Sequence, residues 1–232
     1  MTACCVVALV GLLPSSTAGA DSTVDGMDVS DSTVDWAGVK AKGVAFAYIK
    51  ATQGRAGTNS AYAGLFGSAP KADLFLGAYH VAAPDEGPGR DQANFFVDHG
   101  GAWSASDDKT LPGAVLLQDN PKKPKPDCYG LSPEAMVSWV KEFSNTYDTR
   151  THRRPVIATT TDWWKKCTAD STVFGGSNPL WILHYRESAD SLPAGWSLYV
   201  FAQYTASGAK PGADRFNGNQ SVLEQFAHSV VG

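Results

Sequence analysis

The chain has 232 residues, 43% of them hydrophobic, with a formal net charge of −4. That length suffices for one substantial core and one domain. The charge balance excludes the electrostatic footprint of a nucleic-acid-binding protein. The one basic cluster, Lys122, Lys123 and Lys125, alternates with Pro121, Pro124 and Pro126 and reads as a solvated loop rather than a binding patch.

In chain order, residues 1–20 read as a signal peptide: Cys4 to Leu13 is apolar, Pro14 ends the run, and Ala18-Gly19-Ala20 offers small residues for cleavage. The stretch is shorter than a bilayer span, and no later segment has the roughly eighteen apolar residues that one requires. A secreted domain over residues 21–232 with no membrane partner is therefore expected. A helix is expected over Asp35–Lys42, then a buried strand over Val44–Ile49, rich in β-branched and aromatic residues. A helix over Thr58–Ser68, a strand over Leu74–Tyr79, a helix over Asp91–Asp98 and a strand over Gly113–Leu117 follow. The clearest helix starts after Ser132, which can cap it; Pro133 suits its first turn, and Glu134 complements the dipole. Its stripe of Met136, Trp139, Val140, Phe143 and Tyr147 reads as core. Strands over Pro155–Thr159, Leu180–His184 and Leu198–Gln203 come next, and a helix over Ser221–Val230 closes the chain. Asp162, Trp163 and Trp164 read as packing residues in a loop or at a helix start. Continuous apolar strands alternating with helices argue for an α/β fold with a mainly parallel sheet, here a (β/α) barrel in a single domain.

With Cys4 and Cys5 in the signal, Cys128 and Cys167 remain. In an oxidising compartment they pair as a disulfide; the other reading is two buried free thiols, and without a neighbouring His they make a poor zinc site. Asn219-Gln220-Ser221 is an N-glycosylation sequon. No metal or organic cofactor is implied, since the sequence holds no His/Cys/Asp cluster at ligand spacing and no Gly-rich phosphate loop.

Chemistry on such a barrel sits at the carboxyl ends of the strands. Read in order, those ends are Gly26-Met27-Asp28-Val29-Ser30, Val34-Asp35-Trp36, Phe46-Ala47-Tyr48-Ile49-Lys50-Ala51-Thr52, Gly77-Ala78-Tyr79-His80, Leu111-Pro112-Gly113-Ala114, Thr159-Thr160-Thr161-Asp162-Trp163-Trp164, Pro179-Leu180-Trp181-Ile182 and Phe216-Asn217-Gly218. Together they resemble the family 25 glycoside hydrolases, the N-acetylmuramidase lysozymes, over about Gly26 to Ala227 and most nearly the fungal branch. The resemblance implies an irregular α/β barrel, a groove for peptidoglycan or a related amino-sugar glycan, and hydrolysis of its β-1,4 bonds. It implies a bridge between Cys128 and Cys167, substrate contacts at Gln53, Tyr79, His80, Asn120, Tyr185 and Gln203, and acids at Asp28 and Asp214. His80 reads equally as a satisfied core histidine. For Asp214 the match needs a loop shorter by two residues, because Gly212 stands at the family spacing.

The family's catalytic Asp and Glu lie two residues apart after the Leu-Pro-Gly-Ala block, on one face of a strand. Leu116 and Gln118 stand there in this chain. Leu116 carries no charge, and Gln118 keeps the shape of Glu without an acidic proton. Asp119 is one residue off and points to the opposite face of a strand. Gln53 replaces a third acid, and Ala158 and Ala202 replace a Tyr and a Trp that would stack on sugar rings. Three functions compete. One is a secreted pseudoenzyme that binds glycan or a protein partner. The second is an active muramidase using Asp28 with Asp119 or Asp214, and the third is a carbohydrate-binding module.

Overall fold

The computed structural model describes residues 23–30, 33–107, 109–120, 126–183, 191–205 and 213–229. The signal-peptide reading, the Lys122–Lys125 cluster, Tyr185 and Gly212 lie outside them.

Eight strands close into a barrel. In chain order they are β1 (Val24–Val29), β2 (Phe46–Gln53), β4 (Phe75–Val81), β5 (Ala114–Leu117), β6 (Val156–Thr159), β7 (Leu180–Leu183), β8 (Phe201–Gln203) and β9 (Asp214–Phe216); the short β3 (Gly57–Thr58) folds back on β2. Pairing is parallel from β1 through β2, β4, β5, β6 and β7 to β8, and β9 closes the ring antiparallel to both β8 and β1. The mainly parallel expectation thus describes all but one strand. β1 and β9 escaped the apolar-run reading because Asp and Gly interrupt one and an exposed Arg215 the other.

Among the described residues there are six α-helices, α1 (Trp36–Ala41), α2 (Tyr62–Ser68), α3 (Gly89–Phe96), α4 (Pro133–Thr151), α5 (Thr161–Thr168) and α6 (Gln220–His228), the last packed against the lumen residues at the amino end. Local chemistry starts them. Asp35 accepts from the Gly38 amide, Ser132 from Ala135, Thr160 from Trp163 and Asn219 from Val222, each satisfying a backbone donor that the first helical turn leaves open. The α4 stripe is buried as its period requires. α5 is a helix, so Trp163 and Trp164 are buried on its inner face. α2 starts later than expected because Gly57 and Thr58 pair with Gln53 and Thr52 instead. The last apolar run keeps only Phe201–Gln203 as strand, and its Leu198 is 59% exposed.

Alternation along each strand divides the core. Val115, Leu117, Ile157 and Ile182 face the helices; Ala114, Val156, Trp181 and Phe201 face the lumen. The lumen is filled by rings: Phe46 lies 5.1 Å from Phe201, Tyr48 lies 4.9 Å from Trp181, and Phe201 lies 5.4 Å from Phe216. Two glycines make room for them. A Cβ on Gly26 would come within 2.1 Å of the Phe46 ring, and one on Gly77 within 2.2 Å of Tyr48. At the amino end of the barrel the buried Arg153 guanidinium lies over the rings of Trp103 and Phe226 and donates to the Phe226 carbonyl at 2.8 Å, tying α6 across the opening. The Cys128–Cys167 disulfide joins the turn before α4 to α5, with Cα atoms 5.3 Å apart.

Gly77→Ala is expected to destabilise the fold by about 1–3 kcal/mol through overpacking against Tyr48. Gly64→Ala, on the open face of α2 with nothing near its Cβ, is expected to stabilise it by up to about 1 kcal/mol. Urea unfolding midpoints of the two variants check the pair.

Candidate functional site

The carboxyl ends of the parallel strands open into a cleft of about 800 Å³. Its floor and walls include Lys50, Gln53, Tyr79, Leu116, Gln118 and Asn120, with Ser30, Arg55, Asn59 and Glu86 on the rim. Three of the expected substrate contacts therefore share one cleft, Gln53, Tyr79 and Asn120; Gln203 does not line it and instead bonds Asp28.

Leu116 and Gln118 reach the cleft by strand alternation. Val115 and Leu117 face the helices, so Leu116 and then Gln118 face inward. Asp119 turns the other way, half exposed, with Lys166 4.0 Å from its carboxylate. On β2 the register shifts between Lys50 and Thr52. The bulge leaves Ala51 and Thr52 both packed away from the cleft, and returns Gln53 to it, where its Oε1 accepts from Lys50 Nζ at 2.7 Å.

Two expectations need correction. His80 is not a groove residue. It sits one place past Tyr79, so it points into the helix layer: its Nδ1 lies 2.8 Å from Thr52 Oγ1, its Nε2 lies 3.0 Å from Gln92 Oε1, and its ring stacks on Phe143. Burial lowers its pKa to about 4, which keeps it neutral. Ala202 is likewise turned outward, packed among the helix-facing residues, while its neighbours Phe201 and Gln203 face inward. A large side chain at Ala202 would bear on the helix layer rather than on a sugar. Ala158 does face inward, paired with Leu116 on one side and Trp181 on the other.

Asp28 and Asp214 come together although nearly the whole described chain separates them. β9 runs antiparallel, so its first residue lies at the same end of the barrel as the close of β1; Asp214 pairs with Gly26 and Gln203. Asp214 is fully buried and accepts from Trp181 Nε1 at 3.1 Å; Asp28 accepts from the Gln203 amide. Among the described residues no N–H or O–H points at the buried Asp214 Oδ2. Burial, and then the charge of Asp28, push the Asp214 carboxyl well above the ordinary range; burial also raises Asp28, against hydrogen bonds from Asp214 and Gln203 that lower it. Two desolvated carboxyls side by side resist double ionisation, and the deeper burial of Asp214 makes it the member whose carboxyl is pushed up further.

Asn219 is exposed, with its Oδ1 engaged as the α6 cap. Glu86 was not anticipated; it reaches the rim because Gly54 lets it approach, and its Oε2 accepts from the Arg55 amide at 3.3 Å. Trp181 was visible only as part of a strand; its alternation with Ile182 is the signal that turns its indole toward Asp214.

A closed, largely parallel barrel with amides, a lysine, an aromatic wall and a carboxyl pair at its strand ends is the architecture of a barrel glycosidase. The family model of Glycosyl hydrolases family 25 matches residues 27–213. The chain is 37% identical to the N,O-diacetylmuramidase of Chalaropsis sp over 212 residues, 88% of this chain and 99% of that protein. It is 36% identical to Lysozyme M1 of Streptomyces globisporus over 226 residues, 94% of this chain and 74% of that protein. Among solved structures, the muramidase from Acremonium alcalophilum superposes with a TM-score of 0.83 at 42% identity, covering 88% of this chain and 99% of that one. The family GH25 lysozyme from Aspergillus fumigatus gives 0.85 at 37%, covering 90% and 100%. The chain belongs to glycoside hydrolase family 25.

The two buried titrating sites oppose each other in pH. His80 has a depressed folded pKa, so its contribution to stability is present above about 6.5 and is lost as pH falls toward about 4, a change of about 3 kcal/mol. Asp214 has a raised folded pKa, so it favours the fold at low pH and costs stability as pH rises through that value. Asp214→Asn mimics the protonated acid, keeping an acceptor for Trp181 and a donor for Asp28. Its stability relative to the wild type is expected to increase from pH 4 to pH 8, read from urea midpoints across that range.

Proposed function

We propose that the protein is a secreted, lysozyme-like member of family 25 that binds an amino-sugar glycan of the peptidoglycan type in the strand-end cleft and does not hydrolyse it. The observation that carries this reading is the inward pair on β5 and its end, Leu116 and Gln118. A glycosidase needs one carboxyl to protonate the leaving oxygen and a second to stabilise the cation or act on the opposite face, set roughly 5–9.5 Å apart. Leucine offers neither, and glutamine has no proton to give.

The remaining carboxyls support inactivity rather than rescue. Asp28 and Asp214 bond to each other instead of standing across a sugar ring, and Asp214 has no exposed surface. Asp119 lies by Lys166 outside the cleft, and Glu86 is held by the Arg55 backbone. The active muramidase that uses Asp28 with Asp119 or Asp214 is therefore the less favoured reading. The amides of Gln53, Gln118 and Asn120, with Tyr79 as an apolar wall, suit the hydroxyl and acetamido groups of such a glycan. The absence of a side chain beyond Cβ at Ala158 removes one stacking platform and favours weak binding. Secretion rests on the apolar stretch Cys4–Leu13, and the disulfide is consistent with an oxidising compartment. A protein partner on the same scaffold is the function left if glycan binding fails.

Peptidoglycan release by the wild type is expected to be at background. The double variant Leu116→Asp/Gln118→Glu is expected to gain activity, since loss of general acid help alone typically costs about 10²–10⁴-fold. Wild-type turnover equal to that of an active family member contradicts the reading.

A further inference from the structure

The cleft wall at Gln118 is held by residues that do not line the cleft. β4 and β5 last pair at Val81 and Leu116. Beyond that point Tyr129 bridges them: its hydroxyl lies 2.9 Å from the Gln118 carbonyl and 3.1 Å from the Ala82 carbonyl, sharing one proton between the two strand ends. Tyr129 reaches them through a backbone that L-residues avoid, with φ of 51° at Cys128 and 59° at Tyr129. Two such residues in a row persist only where the surroundings over-determine them. Here the disulfide from Cys128 to Cys167 on α5 does so, together with the Leu131 amide bonding back to the Cys128 carbonyl at 3.1 Å. Lys166, beside Cys167, ties the same segments from the other side, 2.9 Å from Asp127 and 4.0 Å from Asp119. Residues flanking both halves of the disulfide thus converge on residues 118 and 119.

We propose that Tyr129, held in its left-handed turn by the Cys128–Cys167 disulfide, is a positioning residue that fixes where the end of β5 stands and so sets the width of the cleft at Leu116 and Gln118. Burial and the carboxylates of Asp85, Asp119 and Glu86 push its phenol up to about 12, so it remains a donor throughout the physiological range. The consequence for a ligand rests on the cleft being the glycan site; the consequence for the strand end does not.

Tyr129→Phe keeps the ring and the disulfide and removes only the bridge. In hydrogen–deuterium exchange on the full chain, the segment 114–120 is expected to exchange roughly 3–10-fold faster than in the wild type, with α4 and β7 unchanged. A Cys128→Ser/Cys167→Ser variant that retains α4 protection is expected to show the same local increase. Affinity for an N-acetylglucosamine–N-acetylmuramic acid oligomer, titrated calorimetrically, is expected to fall in both variants. Unchanged exchange at 114–120 in Tyr129→Phe, or an increase spread evenly over the barrel, overturns the proposal. A wild type that binds no oligomer counts against the glycan reading alone, since the exchange result stands without a ligand.

Discussion

Everything at the carboxyl end of this barrel depends on how its lumen is filled. A small closed barrel has no room for a solvent channel, so inward side chains must occupy the whole interior at solid-like density. Here Phe46, Tyr48, Trp181, Phe201 and Phe216 do so, with Gly26 and Gly77 as the hollows that receive the Phe46 and Tyr48 rings. Tyr48 is anchored by its hydroxyl to the Pro112 carbonyl at 2.9 Å, so the packed floor has a fixed height. Above it the next inward residues, Lys50, Tyr79 and Leu116, form the first level of the cleft. The aromatic floor therefore determines both the depth of the cleft and the low polarity beneath its acids.

That low polarity explains the carboxyl pair. Trp181 belongs to the floor through its ring and to the acid site through its Nε1–H, which points at Asp214. Water cannot reach Asp214, so its charge is unfavourable there, and burial with the neighbouring Asp28 pushes its carboxyl well above the ordinary range. Gln203 completes the set from β8. The result is a buried corner built from β1, β7, β8 and β9, in which Asp214 Oδ1 is bonded by Trp181 and Asp28 by Gln203. The opposite wall, β5, offers Leu116 and Gln118. The proposed binding role rests on this arrangement, a family 25 scaffold whose β5 wall presents Leu116 and Gln118 in place of carboxyls.

Much of this was legible from residue order. The β-branched and aromatic runs located six strands, and the Ser132–Pro133–Glu134 start located α4. Simple alternation put Leu116 and Gln118 in the cleft and Asp119 outside it. Alternation from Tyr79 and Phe201 turns His80 and Ala202 outward, which fits the core-histidine reading of His80, whereas the family motif sets neighbouring positions on one wall. The resemblance named Asp28 and Asp214 together, but β9 itself was not legible, because a three-residue antiparallel strand has almost no periodic signal and its place depends on closure of the barrel. The Tyr129 bridge was equally hidden: nothing in Cys128-Tyr129-Gly130 announces two consecutive left-handed residues.

The proposed function requires a cleft that binds glycan without cleaving it. The direct test is equilibrium binding of a defined N-acetylglucosamine–N-acetylmuramic acid oligomer to the mature protein, with the ligand recovered afterwards and its length determined by mass spectrometry. Saturable binding and an oligomer recovered intact are expected. Recovery of shortened oligomers would contradict the proposed function and place a working acid in the cleft.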